Sequence, residues 1–387
     1  MKESDKLKYS QPVSNILPLY NSTSKLIVSS KDCYLFDQEG NKYIDFESGV
    51  WCTNLGHSHD NIIRLIDHQS RECIHHGYSF RNKQSEELSN ELLKLTGLKN
   101  GASVFLSSGS EAVNLSITLS RSITGRKKIL RIDNSYLSAF GFGQVSDEND
   151  DLVNIKFNDQ TSLKDINFKE ISAFVVETGS ASYGIVKFPD PDFLRALTEK
   201  SRENGCLIIA EEVTTGMGRT GKWFGFQHYD FIPDMVVTGK ALGNGYPVSA
   251  VTINSDVLKS FNKEPFRYAQ SHQNDPLGCA IGLEVIRTIN RENLIEKSQK
   301  TGEYFKKQLE KLHNRFPGKI KEIRARGMIL ALEFNNSING EVIYSQLFES
   351  VYVICFKFNT LRFLNSLIIG KSDIDGLVGR IEEVIGG

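Results

Sequence analysis

The chain has 387 residues, more than a single hydrophobic core usually serves, so two domains or one large α/β body are expected. Hydrophobic residues make up 40% and charged residues 24%, and a formal charge of −1 offers no basic field, which argues against a nucleic-acid partner and for a small-molecule enzyme. Six cysteines are scattered without a C-x-x-C pair, so neither a disulfide framework nor a zinc knuckle is expected, and reduced thiols point to the cytoplasm.

The opening segment, MKESDKLKYSQP, lacks an apolar stretch of signal-peptide length, and no later run approaches the ~18 apolar residues that span a bilayer, so no membrane anchor is expected. From about residue 85 to 255 strands and helices alternate. Apolar β-rich runs stand at SVFL (103–106), KILRI (128–132), AFVV (173–176), CLIIA (206–210), MVVTG (235–239) and VSAVTI (248–253). Runs that are apolar at successive positions suit strands covered on both faces. Between them lie helical patterns such as DFLRALTEKSREN, closed by Gly205 as a helix end should be. A mostly parallel sheet is therefore predicted. The last hundred residues read as α+β: a long amphipathic helix over 292–313, short strands around GMILALEFN and YVICFKF, then a closing helix. The basic residues between Lys306 and Arg326 alternate with Leu309, Leu312, Ile320 and Ile323, the pattern of a solvated face rather than a nucleic-acid patch.

Ligands of α/β sheets sit beyond the carboxyl ends of the strands, so the residues that follow each strand are the candidates. After SVFLS come Ser108, Gly109 and Ser110, opening a helical pattern that ends at Gly125. Such a turn offers free backbone N–H groups, two hydroxyls and a helix dipole to a phosphate monoester, and equally an ordinary serine cap to its helix. After CLIIA stand Glu211 and Glu212, costly unless they meet a cation or a donor. After MVVTG stands Lys240, with ALGNGYP leaving room beside its amine. A lysine held against apolar walls condenses with aldehydes, although in isolation it reads as a surface lysine. Together these are the three anchors of pyridoxal 5′-phosphate: a cup for its phosphate, an acid for its ring nitrogen and an amine for its aldehyde.

On these residues the chain resembles a class III aminotransferase, the ω-aminotransferase group of the fold-type I pyridoxal-phosphate enzymes. The likeness runs through YLFDQEGNKYIDFESGVWCTNLGHSH (34–59), LSSGSEAVNLSITLSR, the block from Leu207 to Val251, and RFLNSL (362–367). It implies an α/β fold of type I, with a mostly parallel seven-stranded sheet, helices on both faces, and a smaller α+β domain built from both chain ends. Residues 1–55 would contribute to the small domain, 56–285 would form the large cofactor-binding domain, and 286–387 the rest of the small one. The segment TTGMGRTGKW also satisfies G-x-G-x-x-G and most of a P-loop. No helix pattern follows its glycines, however, and Trp223 stands where a P-loop needs Ser or Thr. Lys222 within it is therefore read as non-catalytic.

Residue by residue, the resemblance implies that Lys240 carries the cofactor as a Schiff base and shuttles protons. Glu211 stands where Asp usually pairs with the pyridine nitrogen. Gly109 and Ser110 hold the phosphate with Ser108 nearby, Tyr136 and Val213 cover the two ring faces, and Thr214 replaces the usual Gln beside the ring hydroxyl. Ser271 would reach the neighbouring subunit's phosphate, which implies a homodimer with shared active sites. Arg362 would grip a substrate carboxylate, for which a planar fork is suited, and Trp51 belongs to the substrate pocket. Ser182 stands where many members carry a glutamate that masks the substrate arginine. Ala139 replaces an arginine that acetylornithine enzymes use, which argues against acetylornithine. No metal is expected, because the histidines of CIHH and GHSH have no second pair at zinc spacing. The implied reaction is ping-pong transfer of an amino group from an amine or ω-amino acid to a 2-oxo acid. Two alternatives stay open: decarboxylation, racemisation or amino migration on the same scaffold, and a binding subunit whose catalysis the changes at Glu211 and Ser182 impair.

Overall fold

A computed structural model of the chain describes residues 15–17, 25–144, 150–179, 186–349, 352–357 and 359–387. Three short strands come first: β1 (Ile27–Lys31), β2 (Tyr34–Asp37) and β3 (Lys42–Asp45) form an antiparallel meander. The Asp37 carboxylate closes its second turn by accepting the N–H groups of Glu39 (3.1 Å) and Asn41 (2.8 Å).

The central sheet has seven strands: β4 (Ala102–Leu106), β5 (Lys128–Ile132), β6 (Leu152–Ile155), β7 (Ile171–Glu177), β8 (Leu207–Glu211), β9 (Met235–Thr238) and β10 (Ser249–Ile253). Their order is β4-β10-β9-β8-β7-β5-β6. Only β10 runs against the rest, antiparallel to both β4 and β9, so β4, β7, β8 and β9 end on the same edge. Side chains of a strand alternate between faces. Ala173, Val175, Ile209 and Val237 accordingly pack with Ala112, Val113 and Ile117 of the helix Gly109–Thr124. Phe174, Val176, Ile208, Ala210 and Val236 share the other core, with Leu88 and Leu92 of the helix Lys83–Thr96, Leu194 of Pro191–Glu203 and Ile286 of Pro276–Arg291. Helices thus cover both faces, and every residue of β7, β9 and β10 is buried, which is why those strands read as unbroken apolar runs. Edge strand β6 escaped that signal because only Ile155 of its LVNI is buried.

The C-terminal region adds β11 (Ile320–Arg326), β12 (Ile329–Phe334), β13 (Tyr352–Val353), β14 (Cys355–Lys357) and β15 (Thr360–Leu364). Four of these pair antiparallel in the order β11-β12-β15-β14. The run YVICFKF, expected as one strand, is two. Ile354 is buried between them, and β13 turns away to pair in parallel with β3, so the first meander and a late segment share a sheet. Among the described residues, no helix is long and apolar enough to cross a membrane.

The long helix Leu294–Arg315 seats the β11–β12 hairpin through a backbone-to-backbone approach: a Cβ on Gly302 would lie 2.1 Å from the Gly327 carbonyl oxygen. Gly302→Ala must push the helix off this hairpin. We expect it to lower unfolding stability by about 1–3 kcal/mol, the usual range for overpacking, read as a lower urea midpoint.

Candidate active site

A cavity of about 330 Å³ opens at the strand-end edge of the central sheet, within the ~300–1,000 Å³ range of small-molecule sites. Its walls include Trp51, Ser108, Gly109, Ser110, Tyr136, Glu211, Val213, Thr214 and Lys240. Of the eleven site residues that the sequence singles out, these nine are gathered here. Arg362 and Ser271 are not among the lining residues, and Ser182 lies outside the described residues.

Beyond β4 the chain is extended at Ser108 (φ −138°), and the helix Gly109–Thr124 begins. The Ser108 hydroxyl accepts the Glu111 N–H at 3.2 Å, while Ser110 Oγ accepts the N–H of Ala139 at 2.8 Å. The serine cap and the anion-ready helix start are thus present in one turn. Gly109 is required by its neighbour, since a Cβ there would stand 2.8 Å from Cγ1 of Val213.

Glu211 ends β8 directly beside Glu177, the last residue of β7, and both are buried. Burial first, and then the like charge of Glu177, push the Glu211 carboxyl well above the usual carboxylate range, against the pull of Lys240 and of the Val213 N–H that it accepts at 3.0 Å. Glu177 in turn accepts the Tyr136 N–H at 3.2 Å. The sequence reading missed Glu177, although the signal that found Glu211, an acid closing a fully buried strand, was there to be read.

Lys240 follows β9 with a left-handed backbone (φ 42°). Its amine donates to Thr214 Oγ1 at 3.2 Å and lies 4.3 Å from the centre of the Trp51 indole. Burial holds this amine below the ordinary lysine range, and the charges of Glu211, Cys52 and Glu177 oppose that fall. Trp51 itself ends an unusual turn: Ser48, Gly49, Val50 and Trp51 all have positive φ (45°, 57°, 56° and 70°). Left-handed backbone costs L-residues roughly 1–2 kcal/mol each, so only Gly49 adopts it without penalty. Arg362 of β15 is also buried, its guanidinium carbon 5.5 Å from the indole centre. Ser271 is exposed, ahead of the helix Pro276–Arg291.

Glu212 faces away from the cavity. Its carboxylate accepts the Phe226 N–H (2.7 Å) and Thr178 hydroxyl (3.3 Å) on one oxygen, and the Gly225 N–H (2.7 Å) and Thr215 hydroxyl (2.6 Å) on the other. Burial nonetheless pushes its carboxyl up to about 7. Lys222 donates to the Gln227 carbonyl (2.7 Å) and lines a separate cleft with Trp223, Gln227 and Glu296. A cluster not foreseen from sequence brings His75 and His272 onto the two oxygens of Asp275, each at 2.5 Å.

The donor set around the cavity suits pyridoxal 5′-phosphate: N–H groups and hydroxyls for an ester phosphate, a buried acid in want of a cation, and an amine of lowered basicity for an aldehyde. Set beside known proteins, the chain matches the family model described as aminotransferase class-III over residues 19–141 and 141–385. It is 30% identical over 386 residues to the acetylornithine aminotransferase of Aquifex aeolicus, covering 95% of this chain and 99% of that protein. It is 28% identical over 391 residues to the ornithine aminotransferase of Brevibacillus brevis, covering 95% and 94% of the two chains. The crystal structure of acetylornithine aminotransferase from Elizabethkingia anophelis shares its fold with a TM-score of 0.84 at 27% identity, over 95% of each chain.

Glu212→Gln would turn an amide NH2 toward two of these four donors. We expect a loss of about 1.5–3 kcal/mol in unfolding stability, seen as a lower urea midpoint at unchanged slope.

Proposed function

We propose, from the premise that this chain belongs to the aminotransferase class III family, that the cavity framed by Lys240, Glu211 and the Ser108–Ser110 turn is its active site. The protein is a pyridoxal-phosphate-dependent aminotransferase that moves an amino group from an amine or ω-amino acid to a 2-oxo acid. One observation carries the placement of the site: an amine, a carboxylate and a helix start, each beyond the carboxyl end of a different parallel strand, line one cavity.

Bound pyridoxal 5′-phosphate supplies an aldehyde that takes up nitrogen and an electron-accepting ring that eases loss of a proton from the neighbouring carbon. The chain's own groups do the rest. Lys240 holds the cofactor and, once released from it, carries the proton away from the donor's nitrogen-bearing carbon. An amine of lowered basicity sheds and regains a proton near neutral pH more readily than an ordinary lysine. The Thr214 hydroxyl receives the Lys240 N–H and aims the amine. Glu211 ionises best with a cation beside it, so it favours a protonated ring nitrogen, and the adjacent Glu177 strengthens that demand. The Gly109 and Ser110 N–H groups and the Ser108 and Ser110 hydroxyls bind phosphate, with Tyr136 and Val213 as walls. Trp51 shapes the donor side, and Arg362 binds a donor carboxylate through its planar fork.

The exposure of Ser271 supports a role outside its own subunit's cavity, and we read the enzyme as a homodimer in which that residue completes the neighbouring site. The domain limits at residues 55/56 and 285/286 belong to the same reading. So does a cytoplasmic setting, supported by the free thiols of Cys33, Cys52, Cys73, Cys206 and Cys279. Ala139 offers only a methyl group beside Ser110, so acetylornithine is a poor fit despite the relatives that use it.

Lys240→Ala is expected to lose the cofactor's visible band and to cut turnover by about 10²–10⁴-fold or more. Borohydride reduction followed by peptide mapping should label Lys240, and label on another residue would overturn the site. Arg362→Lys, which keeps charge but not the fork, should raise KM for a carboxylate donor on the order of tenfold, with kcat changed less. Stepwise assay of amines and ω-amino acids against pyruvate and 2-oxoglutarate identifies the donor.

A further inference from the structure

Arg219 heads the largest fully buried side chains, and among the described residues no carboxylate lies within ion-pair distance of it. Its two terminal nitrogens donate to three main-chain carbonyls and two side-chain oxygens. Nη1 donates to the carbonyls of Leu364 (2.9 Å) and Asn365 (2.7 Å) and to Ser48 Oγ (3.3 Å). Nη2 donates to the Trp51 carbonyl (2.8 Å) and to Asn54 Oδ1. These acceptors belong to two segments only: Ser48 to Asn54, which includes the left-handed turn that presents Trp51, and Leu364–Asn365 at the end of β15, two and three residues past Arg362.

The turn has other supports. The Asp45 carboxylate accepts the N–H groups of Glu47 (2.8 Å) and Gly49 (2.7 Å) and pairs with His57 Nε2 (2.7 Å), and Ser48 Oγ donates to the Leu364 carbonyl (2.6 Å). Strained backbone persists where its surroundings over-determine it. Asp45 fixes the turn from its amino end. Arg219 fixes it at both Ser48 and Trp51 and, with Ser48 Oγ, ties it to the end of the strand of Arg362.

We propose that Arg219 is a positioning residue for the reaction: its forked grip on the Trp51 carbonyl and on Leu364 and Asn365 fixes the indole over Lys240 and sets the spacing between Trp51 and Arg362, and with it the length of donor accepted. This rests on the reading of the Trp51–Lys240 cavity as the active site. A lysine at 219 keeps the charge but has one nitrogen in place of the planar fork, so it cannot reproduce the Nη1 and Nη2 contacts together.

The test uses holoenzyme in a Trp223→Phe background, which leaves Trp51 as the sole tryptophan. Three quantities are compared for Arg219→Lys and Ser48→Ala: the cofactor's visible band, the emission and acrylamide quenching of Trp51, and kcat/KM for ω-amino acids of increasing chain length. Arg219→Lys should keep the band, red-shift the emission and lower kcat/KM by about 10–100-fold, with the losses unequal across chain lengths. Ser48→Ala, which removes one link between the same two segments, should act in the same direction and less strongly. It decides alone if Arg219→Lys does not fold. Unchanged emission and unchanged length preference, with only a lower melting temperature, would show Arg219 to be merely structural. A visible band that survives Lys240→Ala overturns the active-site reading instead, and the inference with it.

Discussion

At the strand-end edge of the central sheet, an amine that is costly to keep charged meets two carboxyls that are costly to keep ionised. Burial penalises the charges of Lys240 and Glu211 and each relieves part of the other's penalty, while the like charge of Glu177 adds to the penalty of Glu211 and supports the charge of Lys240. Alone, either kind of group would be driven toward its neutral form. The balance leaves the lysine less basic and the acid less acidic than they are in water. The parallel strands β7, β8 and β9 make this possible, because they deliver polar residues to one edge while their apolar bodies stay buried on both faces.

Close packing then decides where these groups point. Gly109 exists so that the helix start can lie against Val213, and Val213 in turn follows the carboxylate that accepts its N–H. Glu212, next in sequence to Glu211, does unrelated work. It gathers the Gly225 and Phe226 amides and two threonine hydroxyls, anchoring the glycine-rich loop that carries Arg219. Adjacent acids at the end of one strand thus do different work: Glu211 lines the cavity, and Glu212 holds the loop.

Much of this was legible in the sequence, and what was not shares a physical cause. Ser108, Glu211 and Lys240 could be found because each directly follows a run of apolar residues, a local signal. Tyr136, Val213 and Arg362 carry no such mark and were reached only through the family likeness. The His75–His272–Asp275 cluster joins segments 200 residues apart, so no spacing rule could reveal it. The left-handed turn Ser48–Trp51 was equally hidden, since SGVW contains a single glycine and its geometry is imposed by Asp45, Leu364 and Arg219. Strand β6 was lost because it sits at an edge, and YVICFKF was joined because hydropathy does not report a change of sheet.

The pairing of β3 with β13 has a consequence for the order in which the molecule can be made. Phe46, which leads into the turn that carries Trp51, gives its N–H to the Val353 carbonyl (2.9 Å) and its carbonyl to the Leu364 N–H (3.0 Å). While a ribosome is still making the middle of the chain, those two bonding partners do not yet exist. The large sheet can assemble early, as units usually do during synthesis, but the turn behind the indole lacks these two bonds until Val353 and Leu364 have emerged. The support of this turn is therefore completed only after β15 has been made.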